Sequence, residues 1–532
     1  MNYTKWICDE IKHISTTFKD RDAGSESVKK SEGYMADILK GSADKIETER
    51  FIFSPKAFMG SIPLDGILTV IAILCYLLSM AWLGFYWISL AIFAVVLISI
   101  FLEYFLYIPV LDFAFKKRIG QNLYAERKAS EESKKKVVIC GHADAAYEIP
   151  MFQWGPFPFY LFIILAFGST IASIVLVIVA LTNPEAPQSV IPRLVMLVIA
   201  LVGYWPFFKF ANWNLIVPGA NDNLTGCMLG ISILKEMEEK GFRFKNTDVG
   251  VLITDGEESG LRGAKAYAEG HAKELKDSNT IVLVADTITE KDQLMVYRKG
   301  VNGTVSNDKH AGDLLYEAGK KVGIEMPDSP WYLGGTDAEA FSRNGVKAAA
   351  ICGNNHIVQE YYHYRKDTWE ALRPETIEVT RDILKEAIRL YDEEPETVEV
   401  IEEEPKVEAV ETVAEEPKTE AVAEEVVEEP KTEAVEAVTT EEPKTEATEE
   451  VATEEPEPEE EISKEPETSD EIPGLEILDY EVQKPKPKKD ENVLNIELVK
   501  YDVPKPKKEE NVLNIELVKY DVNKKAEDTK KE

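Results

Sequence analysis

Four long apolar segments interrupt the first 210 residues of the chain. Residues 66–111 contain a single charge, Glu103, and exceed the roughly 20 residues that one membrane helix needs, so they predict a transmembrane hairpin. Residues 157–208 predict a second hairpin around the polar loop TNPEAPQS. Its last span is the shortest, and a buried helix of a soluble core is the alternative for it. The four predicted spans are 66–83, 86–108, 157–181 and about 190–208.

Short apolar runs alternate with helical patterns outside these spans. Such alternation is typical of an α/β fold with a mixed, mainly parallel sheet and helices on both faces. The predicted strands are 137–140, 249–254, 280–285 and 346–352. The predicted helices are an amphipathic segment near the start and about 224–240, 259–275, 309–322, 337–344 and 374–391.

The net charge of −35 is concentrated in one part of the chain. Residues 391–470 hold 33 Asp and Glu against five Lys, and their composition predicts a disordered acidic linker over 393–474. Residues 475–532 repeat short units such as ENVLNIELVKYDV, separated by Pro-Lys spacers. The repeats are a candidate docking segment for an unknown partner, and a solvated tail is the alternative. So negative a chain is not expected to bind nucleic acid.

The predicted hairpins return the chain to the side from which it left. Eight Lys and Arg residues lie in 115–136, whereas the opposite loops have almost none, so the positive-inside rule predicts a multi-pass protein of the cell membrane with its large parts and both termini in the cytoplasm. The five widely spaced cysteines form no Cys-x-x-Cys pair and are expected to be reduced thiols, in agreement with that location.

Side chains that can bind metals follow the predicted strands. Ligand sites of open α/β sheets form at the carboxyl ends of the strands, so these residues are expected to converge there although they lie far apart in sequence. Those at strand ends are His142, Asp144, Glu257, Glu258 and Asp286, and those expected from loops are Asp222 and His363.

The ordered motifs GHAD, GANDNLTG, TDGEESGLRGAKAY, GTDAEAFSRNGVKAAAI and YYHYRKDT resemble metallopeptidase family M28. The resemblance implies a zinc-exopeptidase type of α/β fold, interrupted by the two hairpins and followed by the tail. The peptidase domain is then expected in three pieces, 1–60, 134–150 and 212–392, and because both hairpins flank the His-x-Asp strand we expect the active site to adjoin the membrane surface.

Family members are aminopeptidases with two zinc ions, and the resemblance implies a ligand set for them. Asp222 would bridge the two ions. His142 and Asp286 would complete the ligands of one ion, and Glu258 and His363 those of the other. Imidazole and carboxylate are ligands that zinc takes in proteins.

The resemblance also implies three residues that act beside the metals. Glu257 would be the general base and acid, and Asp144 would orient the ring of His142. Tyr362 would donate to the oxyanion, with simple aromatic packing as an equal alternative.

These features together predict a membrane-anchored two-zinc aminopeptidase that hydrolyses N-terminal peptide bonds of peptide substrates. Water activated by the metals would attack, with Glu257 as the base. Two alternatives stay open: a catalytically inactive receptor or scaffold with the same fold, and an enzyme like the one-metal glutaminyl cyclases. The presence of all five ligands and Glu257 favours the aminopeptidase.

Overall fold

A computed structural model of the chain describes residues 1–154, 156–183, 189–329, 334–354, 361–395 and 520–521. Its main sheet has eight strands in the order β12-β1-β2-β6-β3-β7-β11-β8. These strands are β1 (Lys45–Phe53), β2 (Arg118–Arg127), β3 (Lys135–His142), β6 (Thr247–Thr254), β7 (Thr280–Asp286), β8 (Met295–Tyr297), β11 (Lys347–Cys352) and β12 (Tyr520–Asp521). Two small ribbons pair β4 (Tyr147–Glu148) with β5 (Asn212–Ile216), and β9 (Lys299–Gly300) with β10 (Val305–Ser306).

Four neighbouring strands, β6, β3, β7 and β11, run parallel at the centre of the sheet. The strands next to them, β2 and β8, are antiparallel to them, and β1 is antiparallel to β2. The predicted α/β class with a mixed sheet is therefore confirmed. The central strands are apolar on both sides because helices cover both faces. Their carboxyl ends meet at one edge, which carries His142 and Asp286.

Helices pack on the two faces of the sheet in separate cores. On one face lie α1 (Tyr3–Thr17), α2 (Glu26–Leu39), α7 (Thr225–Glu239), α9 (Lys309–Val322) and α11 (Pro374–Glu393). On the other lie α8 (Arg262–Asp277) and α10 (Asp337–Arg343).

Four further helices form a bundle with its own core. They are α3 (Ala57–Leu78), α4 (Gly84–Ile100), α5 (Pro156–Thr182) and α6 (Val190–Tyr204), and each lies in a helical segment long and apolar enough to cross a membrane. Their outward side chains are large and apolar, whereas Thr69, Ser89 and Arg193 are buried inside. A polar interior beneath an apolar surface is the pattern expected of helices surrounded by lipid.

The first span begins earlier than the sequence pattern predicts. Helix α3 starts at Ala57 and includes Asp65, which the hydropathy pattern placed outside the membrane segment. The Asp65 carboxylate is buried and accepts a hydrogen bond from Ser99 of α4 at 3.1 Å. Because Ser99 is a buried hydrogen-bond partner on the neighbouring helix, Asp65 can be accommodated within the apolar span. A hydropathy profile does not detect such a partner.

The basic stretch 115–136 is only partly a surface feature. It contains β2, a strand inside the sheet that the sequence interpretation did not predict, and several of its charges have internal partners. Lys136 forms a buried ion pair with Glu126 at 2.7 Å, and Lys135 donates to backbone carbonyls at the end of α11. Lys116 and Lys117 remain exposed.

The predicted acidic linker 393–474 lies outside the described residues beyond Pro395, and so do the C-terminal repeats except Tyr520–Asp521. These two residues pair antiparallel with Glu47 and Thr48 of β1.

Candidate metal centre

The carboxyl edge of the central strands brings together six of the predicted residues. Strand β3 ends at His142 and β7 at Asp286. The loop after β6 carries Glu257 and Glu258, and the turn before α7 carries Asp222, whose peptide bond to Asn223 is cis. The sixth residue, His363, lies in the loop between β11 and α11.

The first group of potential ligands is His142, Asp222 and Asp286. Nε2 of His142 lies 3.3 Å from Oδ1 of Asp222 and 3.8 Å from Oδ1 of Asp286. All three side chains are buried, those of His142 and Asp286 at strand ends and that of Asp222 in the turn before α7. Their ligand atoms lie within 4.8 Å of one another, close enough to surround one ion.

The second group is Asp222, Glu258 and His363. Nε2 of His363 lies 3.2 Å from Oδ2 of Asp222 and 3.3 Å from Oε2 of Glu258. The two oxygens of Asp222 therefore face two different groups, which is the arrangement a bridging carboxylate requires. Glu257 also has an oxygen near Nε2 of His142, at 3.8 Å, so it faces the same space.

Histidines and carboxylates shift one another's pKa values. Burial lowers the pKa of His142. The surrounding carboxylates, Glu257 above all, have the larger combined effect and raise this pKa to well above its usual range. Burial likewise opposes the effect of Glu258 and Asp222 on His363, whose pKa is raised to about 10. Burial raises the pKa of Glu257 well above its usual value. The carboxylates therefore favour positive charge in this space, and divalent cations can supply it.

These residues fit zinc ions. Oδ2 of Asp222 and Oε1 of Glu258 are buried and accept no hydrogen bond from the described residues, although buried polar atoms are normally satisfied. A metal ion is one partner that such oxygens can have. Imidazole and carboxylate ligands at these positions match the chemistry of zinc.

Asp144 connects the first histidine to the glutamate loop. Its carboxylate accepts the backbone N–H groups of Glu257 and Glu258, each at 3.2 Å. Nδ1 of His142 lies 3.1 Å from the Asp144 carbonyl oxygen and 3.5 Å from Oδ1 of its carboxylate. The residue therefore contacts both the ring of His142 and the loop that carries the two glutamates.

Asp367 is a positioning residue that the sequence interpretation missed. Its carboxylate accepts the backbone N–H groups of Asn221 at 2.9 Å and of Asp222 at 3.1 Å. Burial, then the charge of Asp222, raises the pKa of Asp367 to about 7. The quoted motif YYHYRKDT contains this aspartate, four residues after His363, and that spacing was the available signal.

Arg21 is a second missed residue and lies in the segment DRDAGSES. Its buried guanidinium donates to the carbonyl of Ala143 at 2.9 Å and to those of Pro218 and Gly219 at 2.9 and 3.0 Å. It thereby joins the loop after His142 to the turn that precedes Asp222.

Tyr362 packs on the ring of His363, with ring centroids 3.9 Å apart and planes 20° apart. Its predicted role as an oxyanion donor stays a prediction.

Cys227 donates its thiol to the carbonyl of His142 at 3.1 Å, and burial raises the pKa of the thiol to about 12. It therefore packs beside the site as a neutral thiol. All five cysteines are free, as predicted.

A hydrogen bond and an ion pair connect the loop of His363 to the segment that leads into the second hairpin. The backbone N–H of Ile149 donates to the carbonyl of His363 at 2.9 Å. Arg365 forms a bidentate pair with the buried Glu148, at 2.5 and 2.7 Å. This hydrogen bonding, first of all from Arg365, lowers the pKa of Glu148.

The carboxyl edge of the parallel strands carries two overlapping groups of imidazole and carboxylate ligands. This arrangement defines a candidate metallohydrolase. Comparison with known families agrees with this class. Residues 202–388 match the model of peptidase family M28, the family that the motifs of this part of the chain resemble, and the match supports a hydrolase-like enzyme. No curated protein matches the sequence.

Several solved structures are similar in fold at low sequence identity. Glutaminyl cyclase from Fimbriiglobus ruber has 12% identity and a TM-score of 0.45, over 73% of this chain and 95% of that one. The zinc aminopeptidase BSAP from Bacillus subtilis has 12% identity and a TM-score of 0.43 over the same shares. An aminopeptidase from Aneurinibacillus sp. strain AM-1 has 18% identity and a TM-score of 0.33, over 51% of this chain and about half (48%) of that one.

Proposed function

We propose that the protein is a membrane-anchored aminopeptidase that uses two zinc ions to hydrolyse N-terminal peptide bonds. The observation that supports this most directly is the position of Asp222 between two groups of ligands, each completed by one histidine and one further carboxylate. Zinc ions bound there supply Lewis acidity and lower the pKa of water. His142 and Asp286 would hold one ion, and Glu258 and His363 the other.

Glu257 is the proposed general base. Its carboxylate faces the space between the two groups, and its backbone N–H is held by Asp144. Burial raises the pKa of Glu257, which suits a group that must accept and return a proton near neutral pH. Asp144 would also hold the ring of His142, and Tyr362 would donate to the oxyanion of the peptide.

Membrane anchoring is proposed because the helical bundle has an apolar outer surface and polar side chains in its interior. The charges that flank the spans lie on the side of the sheet, at Lys56, Lys116, Lys117 and Lys209, whereas residues 79–83 at the opposite turn carry none. By the positive-inside rule the peptidase part would be cytoplasmic. A reporter fused to the N-terminus that is active only outside the cell would contradict this orientation.

Metal content and hydrolysis of aminoacyl-arylamides by the full-length protein test the proposal. We expect about two zinc ions per chain in the wild type. The Glu257→Gln variant should keep both ions and lose activity by about 10²- to 10⁴-fold, because the carboxamide accepts no proton. Glu317→Gln, on the exposed face of α9, is the matched control.

The same experiment separates the alternative functions. Two bound ions without cleavage of any arylamide would favour the inactive receptor or scaffold. One bound ion together with cyclisation of N-terminal glutamine would favour an enzyme like the glutaminyl cyclases. The two histidines near Asp222 favour two ions. Docking of a partner by the C-terminal repeats stays a prediction without structural support.

A further inference from the structure

A cavity of about 940 Å³ lies between the candidate metal centre and the helical bundle. Among the described residues, one end of the cavity is formed by Glu257 and by four of the candidate ligands, Asp222, Glu258, Asp286 and His363. The side towards the bundle is apolar and largely aromatic, and includes Phe58, Ile62, Tyr104, Phe159, Ile163 and Phe210.

Three of the four apolar spans contribute to this wall at their ends nearest the sheet, and the residue that follows the fourth span contributes as well. Phe58 and Ile62 lie in the first two turns of α3, and Ile163 lies in the second turn of α5. The other contributors are Tyr104, at the end of the second span, and Phe210, just after the fourth. The cavity is therefore built jointly by the peptidase fold and by the inserted helices.

The apolar wall extends along the helices away from the catalytic edge. Ile62 lies five residues after the start of α3, or about 7.5 Å along its axis, and Ile163 lies seven residues after the start of α5, or about 10 Å. If the spans begin near the edge of the hydrocarbon layer, this part of the cavity reaches the depth of the lipid chains. Polar residues from 299–302 and 334–336 line the opposite side.

We propose that the substrate is a peptide with apolar N-terminal residues that resides in the bilayer and enters this cavity from the membrane side. Its first apolar side chains would lie against the helix ends, and its scissile amide would reach the ligands at the sheet edge. Burial of apolar surface against this wall is favourable, whereas a small polar N-terminus gains little from it. This inference rests on the proposed aminopeptidase function.

A series of arylamides tests the substrate class. The full-length protein is reconstituted in phosphatidylcholine vesicles and given arylamides of alanine, 2-aminohexanoic acid, 2-aminooctanoic acid and 2-aminodecanoic acid. We expect kcat/KM to rise by about two- to threefold for each methylene until the wall is filled. A flat or falling series, with hydrolysis still dependent on Glu257, would overturn the substrate class but leave the aminopeptidase proposal intact. Loss of hydrolysis for the whole series would contradict the proposed function itself.

Two neighbouring isoleucines of α5 form a matched pair of variants. Ile163 lines the cavity, whereas Ile164 is 66% exposed on the outer surface of the bundle. Ile163→Ala should reduce the rise with chain length, so that its loss of kcat/KM is greatest for the longest substrate. Ile164→Ala should match the wild type across the series. Equal behaviour of the two variants would contradict a substrate wall at this place.

The placement of the substrate tests the route of entry. The 2-aminodecanoyl arylamide is either incorporated into the bilayer of the proteoliposomes or supplied in protein-free phosphatidylcholine vesicles mixed with them, at the same total amounts of lipid and substrate. Before the vesicles exchange substrate, the concentration in water is the same in both mixtures, whereas the mole fraction beside the enzyme differs. If the substrate enters from the membrane, the initial rate should be higher for the incorporated substrate, and equal initial rates would overturn entry from the bilayer.

Discussion

The two candidate metal positions are built from different parts of the fold. The position of His142 and Asp286 rests on two neighbouring strands, and the His142 side chain is only 2% exposed. The position of Glu258 and His363 rests on loops, and the His363 side chain is 15% exposed. The sheet therefore fixes the first position, whereas the second depends on how its loops are held.

The loop of the second position is held by the entrance to the second hairpin. Ile149 bonds to the backbone of His363, and Glu148 binds Arg365 two residues later. Phe152 lies near the ring of His363, with centroids 6.3 Å apart. Among the described residues, the segment that leads into the second apolar hairpin thus contacts the loop of one half of the candidate centre, that of His363.

The strongest test removes what the two positions share. Asp222→Asn keeps the shape of the side chain but removes the charge between the two groups. We expect fewer than one zinc ion per chain and an activity loss of about 10³-fold or more, equivalent to about 4 kcal/mol of transition-state stabilisation. Metal analysis and arylamide hydrolysis measure both effects. Asp37→Asn, on the exposed side of α2, is the control, and an Asp222→Asn protein with two tightly held ions would refute a bridging role.

Separate removal of the two histidines should distinguish the positions. His142→Ala and His363→Ala should each retain about one ion and lose activity by roughly 10²-fold or more, since neither keeps a complete pair of metals. His142→Ala should also lower the thermal unfolding midpoint further, because it leaves a cavity beneath the sheet edge. Metal content and thermal unfolding of both variants check this. Loss of both ions from both variants would mean that the positions do not form independently.

Much of this arrangement could be predicted from the sequence because it follows from strand ends. Apolar runs located β3, β6, β7 and β11, and parallel strands bring the residues after them to one edge. Strand β2 was not predicted, because its run of Arg, Gln, Asn and Glu is polar by composition and is buried only through specific partners. Hydropathy missed Asp65 for the same reason.

The supports of the site were harder to predict than the residues that line it. Asp367 and Arg21 act on backbone groups far away in sequence, and only the folded chain shows which groups those are. The apolar wall of the cavity could not be predicted either, because hydropathy indicates that a helix is apolar but not which of its ends faces a cavity. The sequence predicted that the active site adjoins the membrane surface, but not which residues line it.

A weaker perturbation should affect only the second position. Arg365→Gln removes the bidentate pair with Glu148, so the loop of His363 loses an anchor while the ligands stay unchanged. We expect roughly tenfold weaker binding of one of the two zinc ions and a comparable loss of activity. Titration with a zinc chelator resolves the two affinities.

Arg243→Gln provides the control for this effect. Arg243 forms an equivalent bidentate pair with Asp44, at 2.5 and 2.8 Å, on a different part of the surface. It should leave both affinities unchanged. Weaker binding of both ions in Arg365→Gln would indicate that the hairpin supports the whole centre rather than one half of it.

The smallest effect is expected where a histidine pairs with a carboxylate away from both positions. Nε2 of His271 on α8 lies 2.7 Å from Glu49 on β1, and this hydrogen bond, against an opposing effect of burial, raises the pKa of His271. A raised pKa in the folded state stabilises the fold fully below the unfolded value of about 6.5, and the contribution disappears as the pH rises through the folded value. The thermal midpoint of His271→Gln should therefore fall furthest below that of the wild type at acidic pH, by an amount corresponding to about 1 kcal/mol, and the gap should close at alkaline pH. If the difference in thermal midpoint between the two proteins is the same from pH 6 to pH 9, the ring acts through packing and not through its charge. Equal zinc content of the variant and the wild type at every pH would show that this pair affects stability and not the metal centre.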